Sequence, residues 1–353
     1  MSGSHLMVMA GGTGGHVFPA LAVAKELQSS GIKITWLGTK RGLEASVVPA
    51  NNISIEWVSI EGLRGKGWSS LLMAPLNLAR AMWQSAAVIR RVNPDCILGM
   101  GGFVSGPGGL VAWLLGRKLV VHEQNAVAGL TNKYLAKIAH RVLTGFPSVV
   151  DLPPSALWVG NPVRSAIKHG SVSSQNSINI LVIGGSQGAH SFNQKLPQVF
   201  AQLSQQNINI WHQSGRERSA DVEQNYLDHE LPAKVTEFID DMAEAYRWAD
   251  LLVCRAGAMT IAECCAAAKP ALLIPFPFSA GDHQQYNAQT LVDIGAARTL
   301  ANEKIDQPEM LAVLNELLAD KAALVQMGLN AATLHKPNAV RDVANICREL
   351  LNA

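Results

Sequence analysis

The chain has 353 residues, of which 48% are hydrophobic and only 16% charged, with a formal net charge of +2. That length exceeds what one core ordinarily fills and predicts two domains, while the composition excludes a disordered chain. The mild charge, with no basic stretch interleaved with aromatics, argues against a nucleic-acid partner, and five cysteines without a Cys-x-x-Cys pair fit a reducing compartment better than a disulfide frame or a zinc site.

Residues 6–27 read LMVMAGGTGGHVFPALAVAKEL. An apolar run at 6–9, a turn nearly all glycine at 11–15 and helical spacing over 17–27, with Pro19 in the first turn, predict strand, glycine turn, helix. A turn without side chains lets the backbone approach a ligand, and the free N–H groups that open the helix favour a phosphate. Val17 stands where a dinucleotide fingerprint has its third glycine, and no Lys-Ser/Thr pair follows as in a P-loop. The second strand, 32–37, runs into Gly38, Thr39 and Lys40 rather than a ribose-binding acid, so no nicotinamide cofactor is expected. His16 sits where the helix begins, and the positive end of the dipole there favours its neutral, proton-accepting form.

Residues 64–83, RGKGWSSLLMAPLNLARAMW, set Trp68, Leu71, Leu72, Met73 and Leu76 beside Arg64, Lys66 and Arg80. This reads either as an amphipathic core helix with flanking bases or as a segment entering an anionic membrane surface. Strands at 96–98, 119–122 and 142–144 end in Gly99, in Glu123-Gln124-Asn125 and in Gly145. Repeated strand-loop-helix units imply a parallel sheet covered on both faces, with ligands at the carboxyl ends of its strands. The glycine turns and the HEQN tetrad at 122–125 should therefore share one rim.

A last strand of this half runs into Asn161-Pro162, and the polar residues 169–177 read as a linker. Residues 178–183, then Gly184-Gly185-Ser186-Gln187-Gly188-Ala189, then a helical stretch repeat the opening pattern; strands follow at 208–211, 235–239, 251–254 and 271–274. In residues 249–263, ADLLVCRAGAMTIAE, a buried strand meets a turn holding Arg255 and Gly257, and Ala258, Met259 and Thr260 open a helix able to hold a diphosphate. Glu263, one turn in, either accepts from two ribose hydroxyls or is an ordinary first-turn acid. Trp36, Trp57, Trp211, Trp248, Cys264 and Cys265 read as packing. No Asp-x-Asp motif occurs, so no essential protein-bound metal is expected.

In order along nearly the whole chain, GGTGGHVFPA, GGFVSGP, HEQNAVAG, GNPVR, GGSQGA, RAGAMTIAE and DHQQYNA resemble the MurG family, the bacterial lipid-linked peptidoglycan N-acetylglucosaminyltransferases. The resemblance implies an α/β GT-B fold of two doubly wound Rossmann-like domains with a cleft between them. Residues 1–163, joined by a last helix over 340–353, would take the lipid acceptor and the membrane, and residues 164–339 the donor. It implies inverting transfer of GlcNAc from UDP-GlcNAc to the muramyl C4 hydroxyl of undecaprenyl-diphosphate-linked lipid I, without a cofactor, at the cytoplasmic face of the inner membrane. Thr13, Gly14, Gly15 and Asn125 would meet sugar from the first domain. Arg164 and Ser186 would meet the nucleotide, Ile239 the uracil, Ala258, Met259, Thr260, Ile261 and Ala262 the nucleotide and diphosphate, Glu263 the ribose, and Gln285 with Gln284 sugar hydroxyls. The base would be His16 or Glu123, and the turn at Gly14 and Gly15 or the GGFVSG turn would cradle the acceptor diphosphate.

Two other classes fit parts of the pattern. A UDP-GlcNAc 2-epimerase shares such domains and the donor but needs no lipid surface, against the apolar-basic stretch at 68–76. A nucleotide-sugar binding module needs neither His16 nor HEQN.

Overall fold

The computed structural model describes residues 4–60, 73–170, 177–185, 188–205 and 207–352. The chain forms two units, Met1–Val163 with Asn338–Ala353, and Arg164–Pro337.

In the first unit, β1 (His5–Met9), β2 (Lys33–Gly38), β3 (Ser54–Trp57), β4 (Cys96–Gly99), β5 (Lys118–Glu123), β6 (Arg141–Thr144) and β7 (Leu157–Trp158) form a parallel sheet in the order β3-β2-β1-β4-β5-β6-β7. Its helices are α1 (Gly14–Ser29), α2 (Glu44–Ala50), α3 (Ala74–Val92), α4 (Ser105–Leu114) and α5 (Leu130–Leu135), and α13 (Ala339–Asn352) joins them from the far end of the chain. The two-residue period of a strand explains how one run serves two cores. Leu6 and Val8 pack with Val17, Leu27, Val343 and Cys347 on one face, while Met7 and Met9 pack with Ile97, Val111 and Leu119 on the other. Burying each such side chain is worth about 1.5–3 kcal/mol. Arg348 holds α13 against α1, donating to Ser30 Oγ at 2.6 Å and pairing with Glu26 at 3.4 Å.

The second unit repeats the plan. β8 (Ile178–Ile183), β9 (Ile208–Gln213), β10 (Lys234–Thr236), β11 (Leu251–Cys254), β12 (Ala271–Leu273) and β13 (Ala297–Thr299) form a parallel sheet in the order β10-β9-β8-β11-β12-β13. Around it lie α6 (His190–Ala201), α7 (Ser219–Asp228), α8 (Met242–Trp248), α9 (Ala258–Ala267), α10 (His283–Asp293), α11 (Pro308–Ala319) and α12 (Lys321–Ala332).

Several expectations need adjusting. α1 begins three residues before Val17, so Pro19 lies a turn deeper and cannot donate to the Gly15 carbonyl. β3 and β13 are short edge strands whose half-polar sequences SIEW and ART carry little apolar signal. β10 stops at Thr236, short of Ile239. Trp36 and Trp211 are core, whereas Trp57 and Trp248 are only half-buried. Residues 171–176 of the expected linker lie outside the described residues.

Candidate functional site

In each unit the strand order reverses beside the first strand, and crevices at such switch points receive ligands in open parallel sheets. β1 and β4 flank that point in the first unit, β8 and β11 in the second. In the first unit the two glycine-rich turns, after β1 and after β4, therefore emerge side by side because of topology. Met9 lies opposite Gly99, and Gly99 opposite Val121, so the HEQN loop leaves the same rim.

His16 is where these loops meet. Its ring lies over Gly101, where an added Cβ would come within 2.7 Å of Nδ1. The neighbouring Gly102 approaches the Gly11 carbonyl, and both Gly101 and Gly102 have positive φ, 99° and 85°, so side chains are excluded twice over. Ser105, at the start of α4, shares its hydroxyl between the carbonyls of Gly101 at 2.8 Å and Met9 at 3.0 Å. Behind His16, its Nδ1 is 3.0 Å from Gln124 Oε1. No side chain caps α1, whose first turn holds Gly14 and Gly15 after the exposed Thr13.

Glu123 is differently placed. It is buried, and its Oε1 accepts from Asn125 N at 2.9 Å and Asn125 Nδ2 at 3.1 Å. Its Oε2 accepts from Gly129 N at 3.0 Å and Asn132 Nδ2 at 2.8 Å. Three bonds from the loop that follows it and one from α5 make this carboxylate the frame on which Asn125 is set. Glu44, which sequence reasoning passed over, does the same for the glycine turn. Fully buried, it accepts from Gly12 N at 2.9 Å, Thr39 N at 2.9 Å and Thr39 Oγ1 at 2.7 Å. Gly11, Gly38 and Gly42 surround it so closely that a Cβ at any of them would press on its side chain.

In the second unit, α9 opens after Gly257 without a side-chain cap, bringing Ala258, Met259, Thr260, Ile261 and Ala262 to the switch point. Glu263 follows, half-buried, with Oε2 accepting from the Tyr246 hydroxyl at 2.9 Å. Desolvation holds its carboxyl above the usual range, against the pull of the Tyr246 hydrogen bond and of the Arg164 charge, so Arg164 and Glu263 share one neighbourhood. Arg255 turns inward instead. It donates to the Ile274 carbonyl at 3.1 Å and to Ser191 Oγ and Asn302 Oδ1 at 2.9 Å each, with its guanidinium 4.4 Å over the Phe192 ring. Burial lowers it to about 10, still a cation near neutrality, and it braces the turn.

Ile239 is buried just past β10. In α10, Gln284 Oε1 accepts from Phe276 N at 2.8 Å, whereas Gln285 is exposed. Asn287, absent from the sequence expectations, donates to the Ala256 carbonyl at 3.1 Å and couples α10 to the turn before α9. Ser186 lies outside the described residues. Among those described, no cluster of three or more His, Cys, Asp or Glu is arranged for a metal ion.

The glycosyltransferase family 28 N-terminal domain matches residues 6–144, and the family 28 C-terminal domain residues 179–344. A Cronobacter sakazakii protein named UDP-N-acetylglucosamine--N-acetylmuramyl-(pentapeptide) pyrophosphoryl-undecaprenol N-acetylglucosamine transferase is 48% identical over 366 residues, covering 100% of both chains. A Cellvibrio japonicus protein of the same name is 45% identical over 355 residues, 98% of each. The crystal structure of Acinetobacter baumannii MurG matches with a TM-score of 0.86 and 38% identity over 98% of this chain and 99% of that one. A glycosyltransferase of kitacinnamycin, at 16% identity and a TM-score of 0.77 over 99% and 100% of the two chains, shares the fold.

Proposed function

The chain belongs to the MurG family, within glycosyltransferase family 28, and from that membership we infer that it moves GlcNAc from UDP-GlcNAc to the C4 hydroxyl of undecaprenyl-diphosphate-linked MurNAc-peptide, with inversion. The observation that carries this reading is identity of 48% across the full length of a transferase so named. Membership also selects the transferase over the epimerase.

The second unit holds the donor in this reading. The uncapped first turn of α9 offers N–H groups to the diphosphate and stabilises UDP as it departs, with Arg164 and Ser186 assisting. Glu263, steadied through Oε2 by Tyr246, binds the ribose, Ile239 presents backbone to the uracil, and Gln285 binds sugar hydroxyls while Gln284 braces residue 276. The first unit holds the acceptor. Gly14, Gly15 and the GGFVSG turn cradle its diphosphate, Thr13 and Asn125 meet sugar, and His16 is the base. The four hydrogen bonds on Glu123 favour a positioning role for it over a catalytic one.

The acceptor lipid places the enzyme at the cytoplasmic face of the inner membrane, as a peripheral protein serving wall growth, cell shape and division. No helix among the described residues is long and apolar enough to cross a membrane. α3, α4 and α5 instead expose Leu76, Trp83, Trp113, Leu114, Leu130 and Tyr134, with Arg80, Lys133 and Lys137 on the same helices or just beyond. Such a mixture suits an anionic interface. Residues 64–72 of the stretch singled out from sequence lie outside the described residues.

The test is UDP release by the purified protein with UDP-GlcNAc, with and without a short-chain lipid I analogue. Acceptor-dependent release with a new disaccharide lipid is expected; acceptor-independent formation of UDP and ManNAc would return the epimerase.

A further inference from the structure

A neutral imidazole has one nitrogen that carries a proton and one that is bare, and which is which decides where His16 can accept. The groups behind the ring settle it. Gly160 O is a carbonyl and only accepts, so His122 Nε2, 3.0 Å away, carries a proton. His122 is fully buried, and desolvation draws it down to about 4, so the ring stays neutral near pH 7 and its Nδ1 is bare. The side-chain atom of Gln124 that lies 3.1 Å from this Nδ1 and 3.2 Å from the His122 carbonyl is therefore the amide nitrogen, since both neighbours are acceptors. Asn161 Nδ2 holds the Gln124 backbone carbonyl at 2.9 Å and keeps the residue in register. The Gln124 amide oxygen is left facing His16 Nδ1 at 3.0 Å, and an amide oxygen only accepts.

We propose that His122 and Gln124 form a buried positioning relay that pins the proton of His16 on Nδ1 and so leaves Nε2 bare as the atom that receives the acceptor proton. The proposal rests on the reading of His16 as the base. In the transfer, the O4–H bond of the acceptor breaks and its proton goes to His16 Nε2. The O4 electron pair forms the new bond to the anomeric carbon, and the bond from that carbon to the diphosphate oxygen breaks with its pair leaving on UDP. The resulting imidazolium keeps its Nδ1 proton on Gln124 and returns the Nε2 proton to solvent. Neutral histidine in water prefers the opposite tautomer, with the proton on Nε2, so the relay changes the chemistry of the ring as well as holding it still.

The experiment is long-range proton–nitrogen correlation spectroscopy on the full chain labelled with 15N-histidine at pH 8, with the His16 signals assigned by their loss in His16→Ala. Wild type is expected to show a proton-bearing Nδ1 and a bare Nε2 at His16. Gln124→Met, similar in shape but without the oxygen, should move the proton to Nε2 and lower kcat about tenfold or more with donor KM nearly unchanged. Gln124→Glu still presents an oxygen to Nδ1, while its other oxygen, facing the two acceptors of His122, must hold a proton where the amide N–H stood; with that proton in place it should recover the wild-type tautomer and most of the turnover. A wild-type His16 with its proton on Nε2 overturns the relay even if Gln124→Met proves too unstable to study, and so do Met and Glu variants that lose turnover equally. Wild-type turnover in His16→Ala strikes the base assignment instead, which separates the two failures.

Discussion

His16 and Glu263 carry the chemistry that single substitutions can test. A general base contributes about 10²–10⁴-fold to rate, so His16→Ala should lower kcat by that order while donor KM stays within about twofold. Steady-state kinetics with a soluble acceptor checks this, and a loss confined to KM would reject the base role. Glu263 belongs to binding. A hydrogen bond to a charged acceptor is worth about 1.5–3 kcal/mol, so Glu263→Gln should raise donor KM about tenfold or more with a smaller effect on kcat. Because desolvation holds this carboxyl above the usual range, it loses its charge earlier than an ordinary glutamate as pH falls. Donor KM in the wild type should accordingly rise on acidification sooner than exposed carboxylates titrate, and donor KM measured against pH reads this directly. Both residues stood out in the sequence, His16 at the end of a glycine turn and Glu263 one turn into a helix. Of their supports, Gln124 was marked only as part of the HEQN tetrad and Tyr246 not at all, because what each side chain meets is set by the loop after β5 and by α8, distant in sequence from the residues they hold.

At the scale of elements, α3, α4 and α5 show how one pattern reads two ways until the surface is known. The sequence stretch 64–83 read as core helix or as interface, and the structure buries only part of α3, leaving Leu76 63% and Trp83 73% exposed. Leu114 on α4 and Leu130 on α5, 59% and 71% exposed, extend the apolar surface with residues that no sequence motif marked. Joint substitution of Met73 and Trp83 by Ser should weaken binding to anionic vesicles about tenfold, the order expected for withdrawing one or two apolar side chains from lipid. Turnover of a soluble short-chain acceptor should stay near wild type. Cosedimentation with vesicles decides the matter, and unchanged binding would make these exposed side chains incidental.

Across the whole molecule, each unit carries a buried histidine that resists protonation. Desolvation lowers His122 to about 4 in the first unit and His212 to about 3 in the second, from an ordinary value of 6.5. The unfolded chain takes up protons below 6.5 that the folded chain refuses, so this stability is complete above 6.5 and is lost as pH falls toward the folded values. At pH 5 the loss is about 2 kcal/mol for each histidine. Urea midpoints for both units should therefore drop between pH 7.5 and pH 5, before ordinary carboxylates titrate. A flat midpoint over that range would mean that one or both rings find a way to charge in place.

The sequence by itself determined the alternation of strand, glycine turn and helix, the two-fold repetition of that plan and the family, because side-chain periodicity and the conformational freedom of glycine act over a few residues. What only the tertiary structure decided is which polar groups meet. His16 faces Gln124 across 108 positions of chain, Gly12 donates to Glu44 across 32, and Arg348 reaches Glu26 across 322. Each pairing depends on strand order, on β4 and β5 lying beyond β1 and on α13 returning to α1. A buried hydrogen-bonding group must find its partner wherever the fold places one. The direction of the Gln124 amide, and with it the bare nitrogen of His16, is a property of that network and of no residue alone.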